Sequence, residues 1–256
     1  LGDNRTVSTH ADQWTAVEVA GHTCRVFTPT HPSPHGYTIL YLHSRYVEDL
    51  ADHPRITRLL EHYGLRAIAP VTGETWWSDR IAVEFDAQIS VEKYLLQSVL
   101  PFLAEHWQCT PPQIALFGAS MGGQGALRLA YKHPNTFPVV AAIYPSIDFQ
   151  KRIVEGDPIL SAMYRDAEDA RQDTATLHIH PLNWPRHQWF YCDPEDTRWW
   201  DSADRLRMKL YSLGVPHECD LETRAGGHTW KCFARMAEPA LVFIVDRLEK
   251  ERLRVV

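Results

Sequence analysis

One serine in this chain stands where chemistry could make it a nucleophile. The run Ile114-Ala-Leu-Phe-Gly118-Ala-Ser120-Met-Gly122-Gly-Gln-Gly-Ala-Leu-Arg-Leu-Ala130 reads as a buried strand, a sharp turn and a helix. Gly118-Ala-Ser120-Met-Gly122 fits the spacing G-x-S-x-G of a nucleophile elbow. A serine in so tight a turn is strained, and side chains flanking it would strike the strand or the helix. Gly118 and Gly122 remove those collisions. The turn lifts the hydroxyl over the sheet at a helix N-terminus, where the backbone N–H of Met121 can face a developing oxyanion. The apolar strand Ile114 to Phe117 and the small helical face of Gly123, Ala126, Leu127 and Ala130 supply the context that the bare motif lacks. A nucleotide-binding loop is the weaker reading: no Lys-Ser/Thr follows the glycines, and no G-x-G-x-x-G order is present.

A nucleophilic serine needs a base, and the base needs an acid. In chain order Ser, Asp or Glu, His, both must lie downstream. Glu218 to Glu222 reads as a strand running into Thr-Arg-Ala-Gly-Gly-His228-Thr-Trp230. The two glycines give a flexible turn, so His228 can swing over the sheet edge towards Ser120 and take its proton. Its alternative is a surface or helix-capping histidine. The preceding strand, Gln188 to Cys192, opens into Asp193-Pro-Glu195-Asp196, which contains three carboxylates. Strand-end geometry favours Asp196 over Asp193, with Glu195 third, and Asp193 suits a helix cap. The second oxyanion donor should come from the loop after Tyr37 to Leu42, through the backbone N–H of Ser44 or Arg45. Trp76, Trp77, Tyr46 and Trp230 are candidates to line a substrate pocket by stacking. Core packing is the competing expectation for Trp77 and Trp230, and Trp199 and Trp200 suit helix packing.

These residues need a scaffold. Apolar runs at Tyr37 to Leu42, Leu65 to Pro70, Ile114 to Phe117 and Val139 to Tyr144 predict buried strands, and Val17 to Val19 with Cys24 to Thr28 predict an antiparallel pair around Gly21-His22. Helices are predicted over Asp52–Tyr63, Ser90–His106, the run after Ser120, Ile159–Ala170, Asp201–Leu213 and Trp230–Leu248, with Gly64 and Gly214 as C-terminal caps. Alternating strands and helices predict an α/β fold: one domain over 1–256, a mostly parallel sheet with helices on both faces, and an irregular insertion or partial cap at about 145–185. Catalytic groups in such sheets gather at the C-terminal strand ends.

Composition bounds the partners. The chain has 256 residues, 45% hydrophobic, with a formal charge of −6, enough for one sizeable core. That charge and the absence of a Lys/Arg block argue against nucleic acid or an anionic membrane as partner. No long apolar run predicts a membrane span. Five scattered cysteines without a C-x-x-C suit reduced thiols and a cytoplasmic location. The start, Leu1-Gly-Asp, has neither Met nor an apolar signal core, as a trimmed chain would. The fourteen histidines form no H-E-x-x-H or other zinc pattern, so no metal is expected. The sequence leaves a homo-oligomer open.

The ten residues Gly118 to Leu127 resemble the Gly-x-Ser-Met-Gly-Gly-x-Gly-Ala-Leu elbow of the esterase D group of α/β-hydrolases, which includes S-formylglutathione hydrolases, feruloyl and acetylxylan esterases, and mycolyltransferases. Cys192-Asp-Pro-Glu-Asp196 is similar to that group's Cys-Gly-Thr-Glu-Asp segment, whose last Asp is the triad acid. Gly226-Gly-His-Thr-Trp230 is similar to its Gly-Gly-His-x-Trp segment. The resemblance runs from about Tyr37 to the C-terminus. It implies an α/β-hydrolase fold and a cofactor-free serine esterase acting on a small-molecule ester, with Ser120, Asp196 and His228 as triad. Where the group has Leu-His-Gly-Gly, this chain has Leu42-His-Ser-Arg45. Thr75-Trp-Trp-Ser-Asp79 falls where the group's carbohydrate esterases carry a Trp- or Tyr-containing loop. An acyltransferase with the same triad and a non-catalytic binding protein on the same fold are the alternatives.

Overall fold

A computed structural model describes residues 13–46 and 49–254. Eight strands form one sheet: β1 (Trp14–Val19), β2 (His22–Phe27), β3 (Thr38–Leu42), β4 (Arg66–Pro70), β5 (Ile114–Ala119), β6 (Val139–Ile143), β7 (His187–Tyr191) and β8 (Glu218–Asp220), in the order β1-β2-β4-β3-β5-β6-β7-β8. β1 and β2 are an antiparallel hairpin, turned at Ala20 and Gly21, whose φ angles of 49° and 83° are those that a tight hairpin turn demands. β2 meets β4 antiparallel, and every pair from β4 to β8 is parallel. β3, β5 and β6 are buried along their whole length, which is why they read as unbroken apolar runs.

Nine α-helices lie among the described residues: α1 (Pro54–Tyr63), α2 (Val91–Tyr94), α3 (Leu100–Trp107), α4 (Met121–Lys132), α5 (Phe149–Val154), α6 (Pro158–Met163), α7 (Ala167–Gln172), α8 (Trp200–Ser212) and α9 (Trp230–Arg252). The chain passes from β3 through α1 to β4 on one side, and from β5 through α4 to β6 on the other. Right-handed crossovers in opposite directions put α1 and α4 on opposite faces. α9 packs against α1 and covers β5, β6 and β7. The order in which strands are added reverses between the parallel neighbours β3 and β5, the switch point beside which such sheets place their sites, at the C-terminal strand ends. The fold is that of an α/β-hydrolase. Among the described residues, no helix is long and apolar enough to cross a membrane.

Three local differences from expectation have physical causes. The helix expected over Ser90–His106 contains a π turn at Leu95–Val99, where Leu100 N–H reaches back to the Leu95 carbonyl. Pro101 lacks an N–H and its ring would collide with the Gln97 carbonyl, so the preceding turn widens. The single helix expected over Ile159–Ala170 is two short ones, α6 and α7, each started by its own aspartate cap: Asp157 accepts from Ile159 and Leu160 N–H, and Asp166 from Asp169 N–H. α5, capped by Asp148, was not expected.

Candidate active site

The elbow follows β5. Ser120 has φ 55° and ψ −117°, a strained conformation for a residue with a Cβ. Its backbone is held on both sides: Ser120 N–H donates to the Ile143 carbonyl, and the Ser120 carbonyl accepts from Gln124 and Ser146 N–H, each at 3.0 Å. A Cβ on Gly118 would run into the Gly122 carbonyl, and one on Gly122 into the Leu42 carbonyl. The second collision shows how closely the loop after β3 lies against the first turn of α4. Gly125 meets the Trp77 side chain in the same way.

The Ser120 hydroxyl lies 2.8 Å from His228 Nε2, and His228 Nδ1 lies 2.6 Å from Asp196 Oδ2. With Asp196 ionised, Nδ1 carries the hydrogen and Nε2 is the acceptor for Ser120. Asp196 is buried, whereas the His228 side chain is about one-third exposed. The second Asp196 oxygen accepts from Trp199 N–H at 3.2 Å, which fixes the carboxylate at the start of α8. The Tyr144 ring packs 4.2 Å from the imidazole. The Ser146 hydroxyl stands 3.1 Å from Ser120 Oγ. With the Ser120 hydrogen given to His228, Ser146 is the donor of that bond.

Asp193 has a different task from the helix cap expected of it. Its Oδ2 accepts the backbone N–H groups of Ala225 (2.6 Å), Gly226 (2.9 Å) and Gly227 (2.9 Å), and the Tyr191 hydroxyl at 3.1 Å. Its Oδ1 accepts Glu195 N–H at 2.8 Å. Burial pushes this carboxyl up, but those donors outweigh it and hold it down at about 2. The loop that carries His228 is thus folded around one ionised carboxylate. Gly226 and Gly227, at φ 107° and 69°, allow three successive N–H groups to converge.

The loop after β3 is organised by His43. Burial drives its imidazole down to about 4, against the opposing pull of its bond to Ser44, so the ring is neutral. Nε2 accepts from Thr72 N–H at 3.2 Å, which leaves the hydrogen on Nδ1, donating to the Ser44 carbonyl at 2.6 Å. Because a trans peptide points its C=O and N–H in opposite directions, fixing the Ser44 carbonyl also fixes the Arg45 N–H. Met121, the first residue of α4, has an N–H without an intrahelical partner by position.

Ser120, Met121, Asp196 and His228 share a cleft of about 220 Å³ with Arg45, Tyr46, Trp76, Ser146, Arg152, Arg198 and Trp199. Of the four aromatics expected at a pocket, Tyr46 and Trp76 line this cleft and two do not. Trp77 is 1% exposed and donates through its indole N–H to the His43 carbonyl at 3.1 Å, so it braces the loop from beneath. Trp230, at the start of α9, stacks on His53 at 4.3 Å and meets Phe233 edge to face at 4.8 Å. Ser44 is buried and does not line the cleft. Ser146, Arg152, Arg198 and Trp199 were not anticipated at the site. Only Ser146 had a signal, its place just beyond the C-terminal end of β6. Among the described residues, no group of three or more His, Cys, Asp or Glu side chains could hold a metal ion.

The model of the family described as putative esterase matches residues 21–237. Three solved structures resemble the chain over most of their length. Fluorophosphonate-binding serine hydrolase F of Staphylococcus aureus, substrate bound, is 13% identical with a TM-score of 0.73, covering 91% of this chain and 98% of that one. An S-formylglutathione hydrolase from Agrobacterium tumefaciens is 16% identical with a TM-score of 0.74, covering 92% and 94%. The capsule O-acetyltransferase of Neisseria meningitidis serogroup A is 17% identical with a TM-score of 0.63, covering 91% and 98%. At these identities the likeness speaks to the fold alone. No curated protein matches the sequence.

Proposed function

We propose, from the premise that this chain belongs to the putative esterase family and is a carboxylic ester hydrolase, that it works through Ser120, His228 and Asp196 by way of an acyl-enzyme. The observation that carries this reading is the continuous path from Ser120 Oγ through both nitrogens of His228 to the buried Asp196 carboxylate. Ser120 Oγ attacks the ester carbonyl as its hydrogen passes to His228 Nε2. Asp196 keeps the hydrogen on Nδ1 and stabilises the imidazolium. The carbonyl oxygen becomes an oxyanion held by Met121 N–H and by an N–H of the loop after β3; the fixed Ser44 carbonyl favours that of Arg45 over that of Ser44. Collapse breaks the bond to the alkoxy oxygen, which leaves with the proton from Nε2. Water then repeats the sequence, giving His228 its proton, attacking the acyl carbon and returning Ser120 with its hydrogen.

The dimensions of the cleft suit a small to medium acyl group or a carbohydrate-linked ester, with Tyr46 as an exposed aromatic at its mouth. The test is steady-state hydrolysis of 4-nitrophenyl esters from acetyl to octanoyl, with a feruloyl ester, by wild type and Ser120→Ala. The reading predicts turnover that the substitution abolishes, with an optimum at short or medium chain length. Wild-type turnover in Ser120→Ala would refute it. Serine-dependent turnover that rises strongly on adding an alcohol acceptor would favour transfer over hydrolysis.

A further inference from the structure

We propose, building on the ester-hydrolase reading of this site, that the cleft selects esters carrying a negatively charged group, received by Arg198 with Arg45 beside it. The chain as a whole is acidic, with a formal charge of −6. Yet the residues lining the cleft around Ser120 include three arginines, Arg45, Arg152 and Arg198. The one carboxylate among those walls, Asp196, is committed to His228. The acids that partner the arginines stand outside the lining. Glu74 lies 2.7 Å from Arg45 Nε. The fully buried Asp157 carboxylate joins Arg45, at 3.0 Å, to Arg152. Glu155 takes Arg198 and Arg152 from the other side. The carboxylates therefore anchor all three cations, and of the three only Arg198 keeps about half of its side chain exposed.

Arg198 has the most to give a ligand. Its side chain is 49% exposed, against 27% for Arg45 and 9% for Arg152. Its described bonds engage Nη2 alone, of a fork with five N–H groups. The guanidinium lies 5.5 Å above the ring of Trp199, another cleft residue, which restrains its orientation. A flat, restrained fork of this kind pairs with a carboxylate or phosphate by two parallel bonds. The charged group belongs to the acyl chain or to the alcohol.

The test compares matched esters. Monophenyl adipate against its methyl ester places the charge on the acyl side, and 4-acetoxybenzoate against its methyl ester places it on the leaving group. The readout is kcat/KM for the charged ester over that for the neutral one, in wild type, Arg198→Gln, Arg198→Glu and the remote control Arg247→Gln, which lies against Glu218 at the opposite end of the sheet. The proposal predicts that in one pair Arg198→Gln lowers this ratio about tenfold, equivalent to about 1.4 kcal/mol. Arg198→Glu should lower it further, Arg247→Gln should leave it unchanged, and salt should weaken the wild-type preference. A ratio indifferent to Arg198 in both pairs overturns the proposal while leaving ester hydrolysis intact. Calorimetric binding of adipate and 4-hydroxybenzoate separates the two readings. Binding that depends on Arg198 without turnover of any ester would uphold the anion site and refute the hydrolase reading. Turnover without Arg198-dependent binding or preference would do the reverse.

Discussion

Replacing Asp193 by Asn removes the charge around which the His228 loop folds and leaves its shape almost unchanged. The carboxylate accepts four backbone N–H groups and one hydroxyl. Its acidity moves from an ordinary 3.8 to about 2 on folding, a difference equivalent to about 2 kcal/mol in favour of the ionised folded state. An Asn must also turn its NH₂ towards one of the donors that Asp193 now satisfies, which leaves an N–H unpaired. Asp193→Asn should therefore cost about 2–3 kcal/mol at neutral pH, a fall in Tm of roughly 4–10 °C for a chain of this size. The folded value lies below the unfolded one, so the contribution is complete above about pH 4 and fades as the pH falls towards 2. The gap between wild type and variant should close over that window. Because Asp193 does not line the cleft, the loosened loop should lower kcat about 10- to 100-fold with little change in KM. Thermal melts from pH 7 to 2, with kinetics on one good ester, check both parts. A variant that melts with wild type at pH 7 and keeps its kcat would refute the claim that this carboxylate organises the loop.

Asp196→Asn keeps the geometry but removes the charge that holds the hydrogen on Nδ1, and kcat should fall about 10³- to 10⁴-fold; steady-state kinetics in a protein shown to be folded would decide it. Gly122→Ala drives a methyl into the Leu42 carbonyl, so the loop after β3 must retreat from α4. Stability should fall by more than about 3 kcal/mol, and activity more than stability, as read by denaturant unfolding beside kinetics; a fully active, stable variant would contradict the close approach. His43 is neutral when folded, held at about 4 against an ordinary 6.5. Full stability is present above 6.5 and about 3 kcal/mol is lost as the pH falls to 4, because only the unfolded chain takes the proton. In His43→Gln, the dependence of unfolding free energy on pH across that window should flatten.

Much of the site is written in local spacing. The elbow is legible because Gly118 and Gly122 bracket Ser120 between an apolar strand and a small-residue helix, and each glycine answers a contact that a Cβ would forbid. His228 is legible from its paired glycines and from its place between a strand and the last helix. The choice between Asp193 and Asp196 is legible only as a preference for the residue further past the strand end. Both follow β7 within five residues, and only the fold turns one carboxylate into the 225–227 loop and the other towards the imidazole. Trp77 misleads because its surroundings are set by two consecutive residues at positive φ, Trp76 and Trp77, which turn the second indole beneath the loop and away from the cleft. Arg152 and Arg198 leave no local trace. One comes from a short helix, α5, and the other from the approach to α8, and Glu155, which pairs with both, is what brings the two together. The π turn before Pro101 follows a rule of proline stereochemistry that a periodicity count overlooks.

The central claim is that Ser120 becomes acylated with His228 as its base. Its most direct measurement is mass spectrometry of the intact protein and its peptides after acid quenching of a reaction with a slowly deacylating 4-nitrophenyl ester. The account predicts one acyl group per chain, on the peptide containing Ser120, formed with a burst of nitrophenol, absent in Ser120→Ala and formed far more slowly in His228→Ala. An acyl group on another residue, or equal labelling in Ser120→Ala, would contradict it.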